Sequence, residues 1–464
     1  MRSSVASAML FRAYALFAPA EQVGEGGAIM SQTSDAPEAA PHAVDGAAPG
    51  TMPGPDGSWK LKLACVWGGE LVSVLTSSIL QMGFIWHITL TTNSASMLSL
   101  ASLMGFLPLA LMGFVAGAIV DRLPLKRVLI GADLFIAAVS ALVALASMAG
   151  SLPVWMVIVA LFFRAIGSAF HTPAFQALTP LVAPPEHLTR LAGVTQLVQS
   201  GGYILGTAVA AAMYPVWGLT AMVALDVAGA LFASVAVLAA RLSGRPTAPV
   251  VREGLATQVR QLARETAEGY RVLRRYRGLF ALLWCGFAFT LVFSPISALF
   301  PIMTLGHFAG TTADAALAEV VFSVGMIAGS MLLAATGGFA NRALSVVASC
   351  AVYGVATLAA GLLGPDGFMG FLAASAVMGL SSPFYSGPQT ALMQEHIPPE
   401  YLGRVFGLYG SIMAWAMPAG LAVSTLLADT VGAPIWFVLA GSSMLVLAVI
   451  TWLIPSIRHI ERVP

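Results

Sequence analysis

Two stretches of the chain repeat one another. FHTPAFQALTPLVAPPEHLTRLAG (residues 170–193) and FYSGPQTALMQEHIPPEYLGRVFG (residues 384–407) align end to end without a gap. Nine of the 24 positions match: Phe170/Phe384, Ala177/Ala391, Leu178/Leu392, Pro184/Pro398, Pro185/Pro399, Glu186/Glu400, Leu188/Leu402, Arg190/Arg404 and Gly193/Gly407. That is well above chance even for a biased composition. Each copy ends one apolar segment, crosses a short Pro-Pro-Glu loop and enters the next apolar segment at an Arg. The chain is therefore two copies of one unit, joined head to tail.

The material around the repeat says what kind of unit it is. Of 464 residues, 58% are hydrophobic and 9% charged, with a mean hydropathy of +0.86. Soluble proteins carry about 25% charged residues, so this chain cannot clothe a water-facing surface of its size. Cytosolic enzymes, nucleic-acid binders and secreted scaffolds are excluded as classes. Cys65, Cys285 and Cys350 lie singly in apolar stretches, without the spacing of a disulfide framework or a metal site.

A helix needs about 20 apolar residues to cross the hydrocarbon core. Twelve segments qualify: 61–90, 97–120, 127–149, 153–174, 190–213, 216–240, 279–304, 315–338, 343–364, 368–392, 402–428 and 433–456. Their Gly and Ala content suits closely packed helices, not the short alternating strands of an outer-membrane barrel. The fold class is all-α integral membrane, and the repeat offset spans six crossings. Of the 22 Lys and Arg, Arg164 alone lies deep within a span. The others fall in the N-terminal region, in alternate loops and in the tail. By the positive-inside rule both termini are cytoplasmic.

These boundaries divide the chain into five parts. Residues 1–58, rich in Ala, Gly, Pro and Ser, read as a disordered extension; a signal peptide over Met1–Ala20 and a later start at Met30 or Met52 are the other readings. Residues 59–242 form one six-helix bundle and 279–458 the second, with a cytoplasmic tail at 459–464. The connection 243–278 carries eight Arg, with Arg241 just before it as a ninth, against three Glu. It is either an amphipathic helix on the anionic inner leaflet or a solvated linker.

The clearest local motif is Gly113-x3-Gly117-x3-Asp121-Arg122-x3-Lys126-Arg127. Its glycines allow close helix approach, and its charges can hold the cytoplasmic mouth in one state and release it in another. Asp133 is expected to join that network with Arg122 or Arg127. Ionisable residues inside spans are functional hypotheses by default. Glu70, Arg164 and Asp226 each lie about 10 residues into a span, roughly 15–17 Å deep at 1.5 Å per residue; Glu319 is about one turn from the outer end of its span. Burial disfavours an ionised carboxylate and a neighbouring guanidinium favours it. The partner therefore decides whether Glu70 exchanges protons or forms a static ion pair with Arg164. For Asp226 the static pair is the favoured reading, and Glu319 stays open. His171 is read first as a helix-end hydrogen-bonding residue and second as a proton relay. Phe84, Phe289, Phe293, Tyr385, Met413 and Trp415, with Glu70 and His171, are candidates to line a substrate cavity.

No Gly-x4-Gly-Lys-Ser/Thr phosphate loop occurs, so the sequence carries no ATPase motif. No cofactor, metal site, nucleic-acid partner or enzymatic step is expected.

Parallel six-helix halves with a site between them are the plan of the major facilitator transporters. Particular residues narrow the resemblance. Leu98-Ser-Leu-Ala-Ser-Leu-Met-Gly-Phe-Leu-Pro108, Asp121-Arg122, Gly131-Ala-Asp133-Leu and Arg164-Ala-Ile-Gly-Ser-Ala-Phe-His-Thr-Pro173 resemble the macrolide-efflux branch of that superfamily. So do Gly379-Leu-Ser-Ser-Pro-Phe-Tyr-Ser-Gly387, Glu395 through Gly407, and Gly410 through Pro418. The resemblance covers roughly residues 59 to 460. It implies proton-driven export of amphipathic drugs, macrolides above all, across a bacterial inner membrane by a monomer working in the bilayer. It also implies gating by Asp121, Arg122 and Arg127, and acidic positions at Asp226 and Glu319. Two departures stand out. Gly202-x3-Gly206 is followed by Thr207 where the family's fifth-helix motif pairs Gly with Pro, and Glu70 stands where the family has a neutral amide. Export of a siderophore or endogenous metabolite, or a non-transporting sensor on the same fold, are the alternatives.

Overall fold

The computed structural model describes residues 59–120, 123–150, 152–182, 188–240, 255–336, 339, 341–458 and 460. Helices account for nearly all of them. In chain order they are α1 (Trp59–Thr92), α2 (Ala95–Val120), α3 (Leu125–Met148), α4 (Val154–Val182) and α5 (Leu188–Ala239) in the first half. After α6 (Leu255–Arg275) come α7 (Arg277–Ile302), α8 (Thr312–Thr336), α9 (Arg342–Leu362), α10 (Phe368–His396), α11 (Pro399–Val431), α12 (Ala433–Leu453) and the single turn α13 (Pro455–Arg458). A wider turn, Met303–His307, extends α7.

Eleven of these helices are long and apolar enough to cross a membrane, where the sequence predicts twelve crossings. The difference is α5. At 52 residues it would run about 78 Å if straight, more than twice a hydrocarbon core of about 30 Å. It is not straight: Gly218 adopts φ 65°, ψ −174°, a backbone open to glycine but strained for other residues. Before that turn α5 runs in step with α1, Gly202 lying against Val74 and Gly206 against Leu75 and Ser78. After it the order reverses, Gly229 lying against Thr76 while Ala233 and Ala236 lie against Gly69. One helical element therefore supplies two antiparallel limbs and two crossings. Gly432, with φ 81°, makes the same turn between α11 and α12, at the position equivalent to Gly218 in the second half.

The basic side chains of Lys60, Lys126, Arg127, Arg275, Arg342 and Arg404 gather at one end of the bundle. At the opposite end the halves share their cores. Ala95 and Leu98 of α2 pack among Phe289, Phe300, Phe371 and Phe437, and Ala315 and Ala316 of α8 pack among Ile79, Leu80, Trp86 and Met222. Polar contacts tie the same end: Ser99 and Ser424 share a hydrogen bond of 2.7 Å. The Asp429 carboxylate accepts from the Ser94 hydroxyl at 2.7 Å and from the Ser96 N–H at 2.9 Å. At the basic end the core divides into two separate clusters. One, around Leu63, Leu129 and Phe175, belongs to the first half; the other, around Leu282, Leu392 and Val405, belongs to the second. A methyl added at Gly105 or Gly113 of α2, or at Gly407 or Gly410 of α11, would meet nothing within 4 Å. The bundle is closed at one end and parted at the basic end.

The Arg-rich connection forms α6, whose C-terminal part docks on the second half. Leu273 is fully buried there, Gly269 lies against the backbone of Arg404, and Glu268 pairs with Arg404 at 3.1 Å. The expected extension 1–58 lies outside the described residues.

Candidate functional site

Ionisable residues of the first half meet in two layers, set by a spacing of seven residues repeated on three helices. Two turns of helix carry Glu70 to Ser77 on α1, Asp133 to Ser140 on α3, and Arg164 to His171 on α4. Seven residues are about 10.5 Å of rise, and residues so spaced share a face.

The layer farther from the basic end is an ion pair with its hydrogen bonds filled. Arg164 meets Asp226 at 2.5 Å. Ser140 donates to Asp226 Oδ2 at 2.7 Å and Ser77 donates to Asp226 Oδ1 at 2.8 Å. Arg164 also donates to the Ser140 hydroxyl. Both charged side chains are buried. A buried pair holds only when its remaining donors and acceptors are satisfied, and the two serines do that here.

The layer nearer the basic end has no guanidinium among the described residues. Gln199 of α5 donates to Glu70 Oε1 at 2.8 Å. His171 Nε2 lies 3.6 Å from Glu70 Oε2 and 3.4 Å from Asp133 Oδ1. Its ring stacks near-parallel on Phe175, with centroids 6.2 Å apart. Glu70 and Asp133 are buried and His171 is partly so.

Several expectations change at this point. Glu70 does not pair with Arg164, because that guanidinium is two turns away and committed to Asp226. Asp133 does not join Arg127: it is 3% exposed and faces α4, while Arg127, six residues earlier on another face of the helix, is exposed. Phe84 lines no cavity, being fully enclosed with Ile79, Met222 and Val223. Trp415 is 45% exposed, nine residues and hence half a helical turn away from the Ser424 face that meets α2. Asp121 and Arg122 lie outside the described residues. Lys126 is half-buried at the start of α3, and Gly113 is exposed; the surroundings of Gly117 are not described.

The remaining candidates come together in the second half. Phe289 stacks on Tyr385 with centroids 4.3 Å apart and on Phe293 at 6.3 Å. Tyr353 meets Phe289 and Phe293 edge-on at 5.7 and 5.8 Å. The Thr290 hydroxyl points at the Met413 sulfur, 3.9 Å away. Glu319, two turns into α8, lies within electrostatic range of Tyr203 on α5 and Tyr353 on α9, at the seam between halves. Sequence reasoning does not single out Gln199, Ser77, Ser140 or Tyr353. The two serines carry a signal, their spacing of seven from Glu70 and Asp133; Gln199 and Tyr353 carry none.

The two halves repeat one register of helices and contacts. Helices α4 and α10 have the same length and stand in the register of the Pro-Pro-Glu repeat, Val154 matching Phe368 and Val182 matching His396. The second limb of α5 and α12 keep that register too, Leu219 matching Ala433 and Ala239 matching Leu453. Gly206 and its equivalent Gly420 touch Leu75 and Ser78 or Leu291 and Ser294, which sets α1 against α7 with Leu75 on Leu291 and Glu70 on Gly286. The sequence profile of the Major Facilitator Superfamily matches residues 66–421.

The chain belongs to the major facilitator superfamily.

Within that superfamily it is 46% identical over 404 residues to Macrolide efflux protein A of Streptococcus pyogenes, covering 87% of this chain and 98% of that one. A protein of the same name from Enterococcus faecalis is 48% identical over 329 residues, covering 71% and 100%. The Multidrug efflux pump Tap of Mycolicibacterium fortuitum is 27% identical over 83% of this chain and 93% of its own. Similarity at this level supports the superfamily's macrolide-efflux branch. Among solved structures, a POT family transporter in complex with 5-aminolevulinic acid has a TM-score of 0.68 at 12% identity, covering 85% of this chain and 96% of that one. That is a likeness of fold. The chain is a multi-pass membrane transporter of the major facilitator type.

Proposed function

We propose that this transporter exports amphipathic, cationic drug-like compounds, macrolides among them, across the bacterial inner membrane in exchange for protons, by alternating access. The observation that carries the reading is the company of Glu70. It is a buried carboxylate held by a neutral amide and an imidazole, while the nearby guanidinium is committed to Asp226. Such a carboxylate is free to take up and release a proton, and an amine-bearing substrate can compete with that proton. The basic end faces the cytoplasm by the positive-inside rule, with both termini on that side. The parted core is then the cytoplasm-open state, poised to admit a drug from the cell or the inner leaflet. Alternation closes the basic ends and opens the shared cores at the other end. The chain carries both halves of the path, so a monomer in the bilayer suffices, with the proton gradient as energy source.

The test uses inside-out vesicles, a lumenal fluorescent pH probe and erythromycin. Erythromycin is expected to evoke proton release from an acid lumen in wild type, and Glu70→Gln to abolish it. Wild-type vesicles that release no protons with any macrolide would remove the drug assignment and bring export of a siderophore or endogenous metabolite forward.

A further inference from the structure

We infer that His171 passes protons between Glu70 and Asp133, so that these three side chains hold the coupling proton as one unit. The inference rests on the proton-coupled reading above and concerns how that coupling is built.

The geometry is unusual in one respect: a single ring nitrogen faces both carboxylates. Nε2 stands 3.6 Å from Glu70 Oε2 and 3.4 Å from Asp133 Oδ1, each a few tenths of an ångström beyond proton-transfer reach of about 2.6–3.2 Å. A small swing of the imidazole about its Cα–Cβ bond closes one gap and opens the other. With the ring proton on Nδ1, the free Nε2 accepts the proton of a protonated Glu70; the Glu70 O–H bond breaks as the Nε2–H bond forms. The imidazolium then gives that same proton to Asp133, forming an O–H bond there, and the ring returns to neutral without flipping. Nothing else is consumed. Stacking against Phe175 keeps the ring plane while this happens.

Among the described residues, the polar groups around His171 come from three other helices. From α1 comes Glu70, from α3 Asp133, and from α5 the neutral Gln199, which donates to Glu70. Asp226, farther along α5, is bound to Arg164 two turns from His171 on its own helix. Helix α2 carries no ionisable side chain. Two carboxylates about one imidazole, with no cation among the described residues to hold both ionised, share a proton among themselves. The Arg164 guanidinium, the cation nearest this cluster among the described residues, is spent on Asp226.

The experiment compares two fluxes in proteoliposomes of the full chain. Erythromycin counterflow needs no net proton movement; erythromycin-evoked proton flux, read by a lumenal dye, does. His171→Gln is expected to lower proton flux by roughly 100-fold, the scale of a positioned acid–base group, and by at least tenfold more than it lowers counterflow. Asp133→Asn is expected to give the same split. Proton flux at the wild-type rate in His171→Gln overturns the relay and leaves proton coupling standing. Equal loss of both fluxes in monodisperse protein shows a packing role and also overturns it; if His171→Gln is not monodisperse, Asp133→Asn decides. Wild-type protein that exchanges erythromycin but moves no protons overturns the proton-coupled reading itself, and the relay with it.

Discussion

The two halves place the same helices in the same places and fill the equivalent positions with opposite chemistry. In the first half Glu70 meets Gln199 and His171. In the second the equivalent of Glu70 is Gly286, and a methyl added there would meet Gln389 and then Met413 and Tyr385, the last two being the equivalents of Gln199 and His171. Arg164 donates to Ser140; its equivalent Met378 receives the hydroxyl of Thr357, 3.3 Å from its sulfur. Asp226 becomes Ala440, and Ser77 becomes Phe293. One scaffold thus carries two solutions to filling a helical bundle in lipid, a network of satisfied charges and a stack of aromatic and thioether groups. Under the proposed function this divides the work: the first half handles protons and the second presents a polarisable apolar surface.

The comparison is sharpest where one solution can be moved into the other half. Arg164→Met strands Asp226 in a buried site and is expected to cost about 3–5 kcal/mol, read as a fall in the melting temperature of detergent-solubilised protein. Adding Asp226→Ala completes the second half's pattern. Most of that loss should return, because a buried ion pair replaced by apolar groups is often neutral in stability. A double variant as unstable as the single would mean that the serines, not the charges, hold this layer.

The next test asks whether the packing is as symmetric as the backbone. A methyl at Gly206 would press on Leu75 and Ser78, and one at Gly420 on Leu291 and Ser294. Gly206→Ala and Gly420→Ala should therefore destabilise by similar amounts, about 1–3 kcal/mol each, in the same melting assay. Tolerance at only one of the two would show that the equivalence stops at the helix axes.

Much of this is legible in the chain, and the misses share a cause. The Pro-Pro-Glu repeat and the alternation of basic loops give two parallel halves and the span count, because membrane insertion obeys hydropathy and charge. The Gly218 turn falls near the break that hydropathy places between two spans, although helical geometry runs almost to its edges. Partner choice is not legible. Glu70, Asp133 and Arg164 lie in spans by residue count, and depth does not say which helix face meets which. Only the seven-residue spacing of Glu70 with Ser77, Asp133 with Ser140 and Arg164 with His171 hints that the charges sort into two layers. Aromatic side chains are harder still: Phe84 and Phe289 look alike in sequence, and only packing separates a core filler from a member of a stack.

The remaining contrast is between the two ends of the bundle. At the closed end Asp429 of α11 caps the first turn of α2, taking up the Ser96 N–H that a helix start leaves unpaired. Asp429→Ala should cost this state about 1 kcal/mol, as for the loss of a cap, and so enrich the opposite state roughly fivefold. Ser424→Cys supplies the readout, since Ser424 is buried against Ser99 in this state. A membrane-impermeant thiol reagent added from the closed side should label that cysteine correspondingly faster in the Asp429→Ala background. Unchanged labelling would mean that the shared apolar core, not the cap, sets the balance.

At the parted end the smallest effect is the most informative. A methyl at Gly113 or Gly407 meets nothing here, so Gly113→Ala and Gly407→Ala should leave stability within about 0.5 kcal/mol of wild type. The same methyls must fit between α2 and α11 when the basic ends come together. Any cost they carry therefore falls on the other state alone. The pair should melt like wild type yet slow erythromycin counterflow, which requires both states in each cycle, and the Ser424→Cys label should appear more slowly, opposite to its response to Asp429→Ala. If melting is unchanged and both counterflow and labelling are also unchanged, the basic ends do not close through these glycines, and the alternation must run through the α5–α8 seam at Glu319 instead.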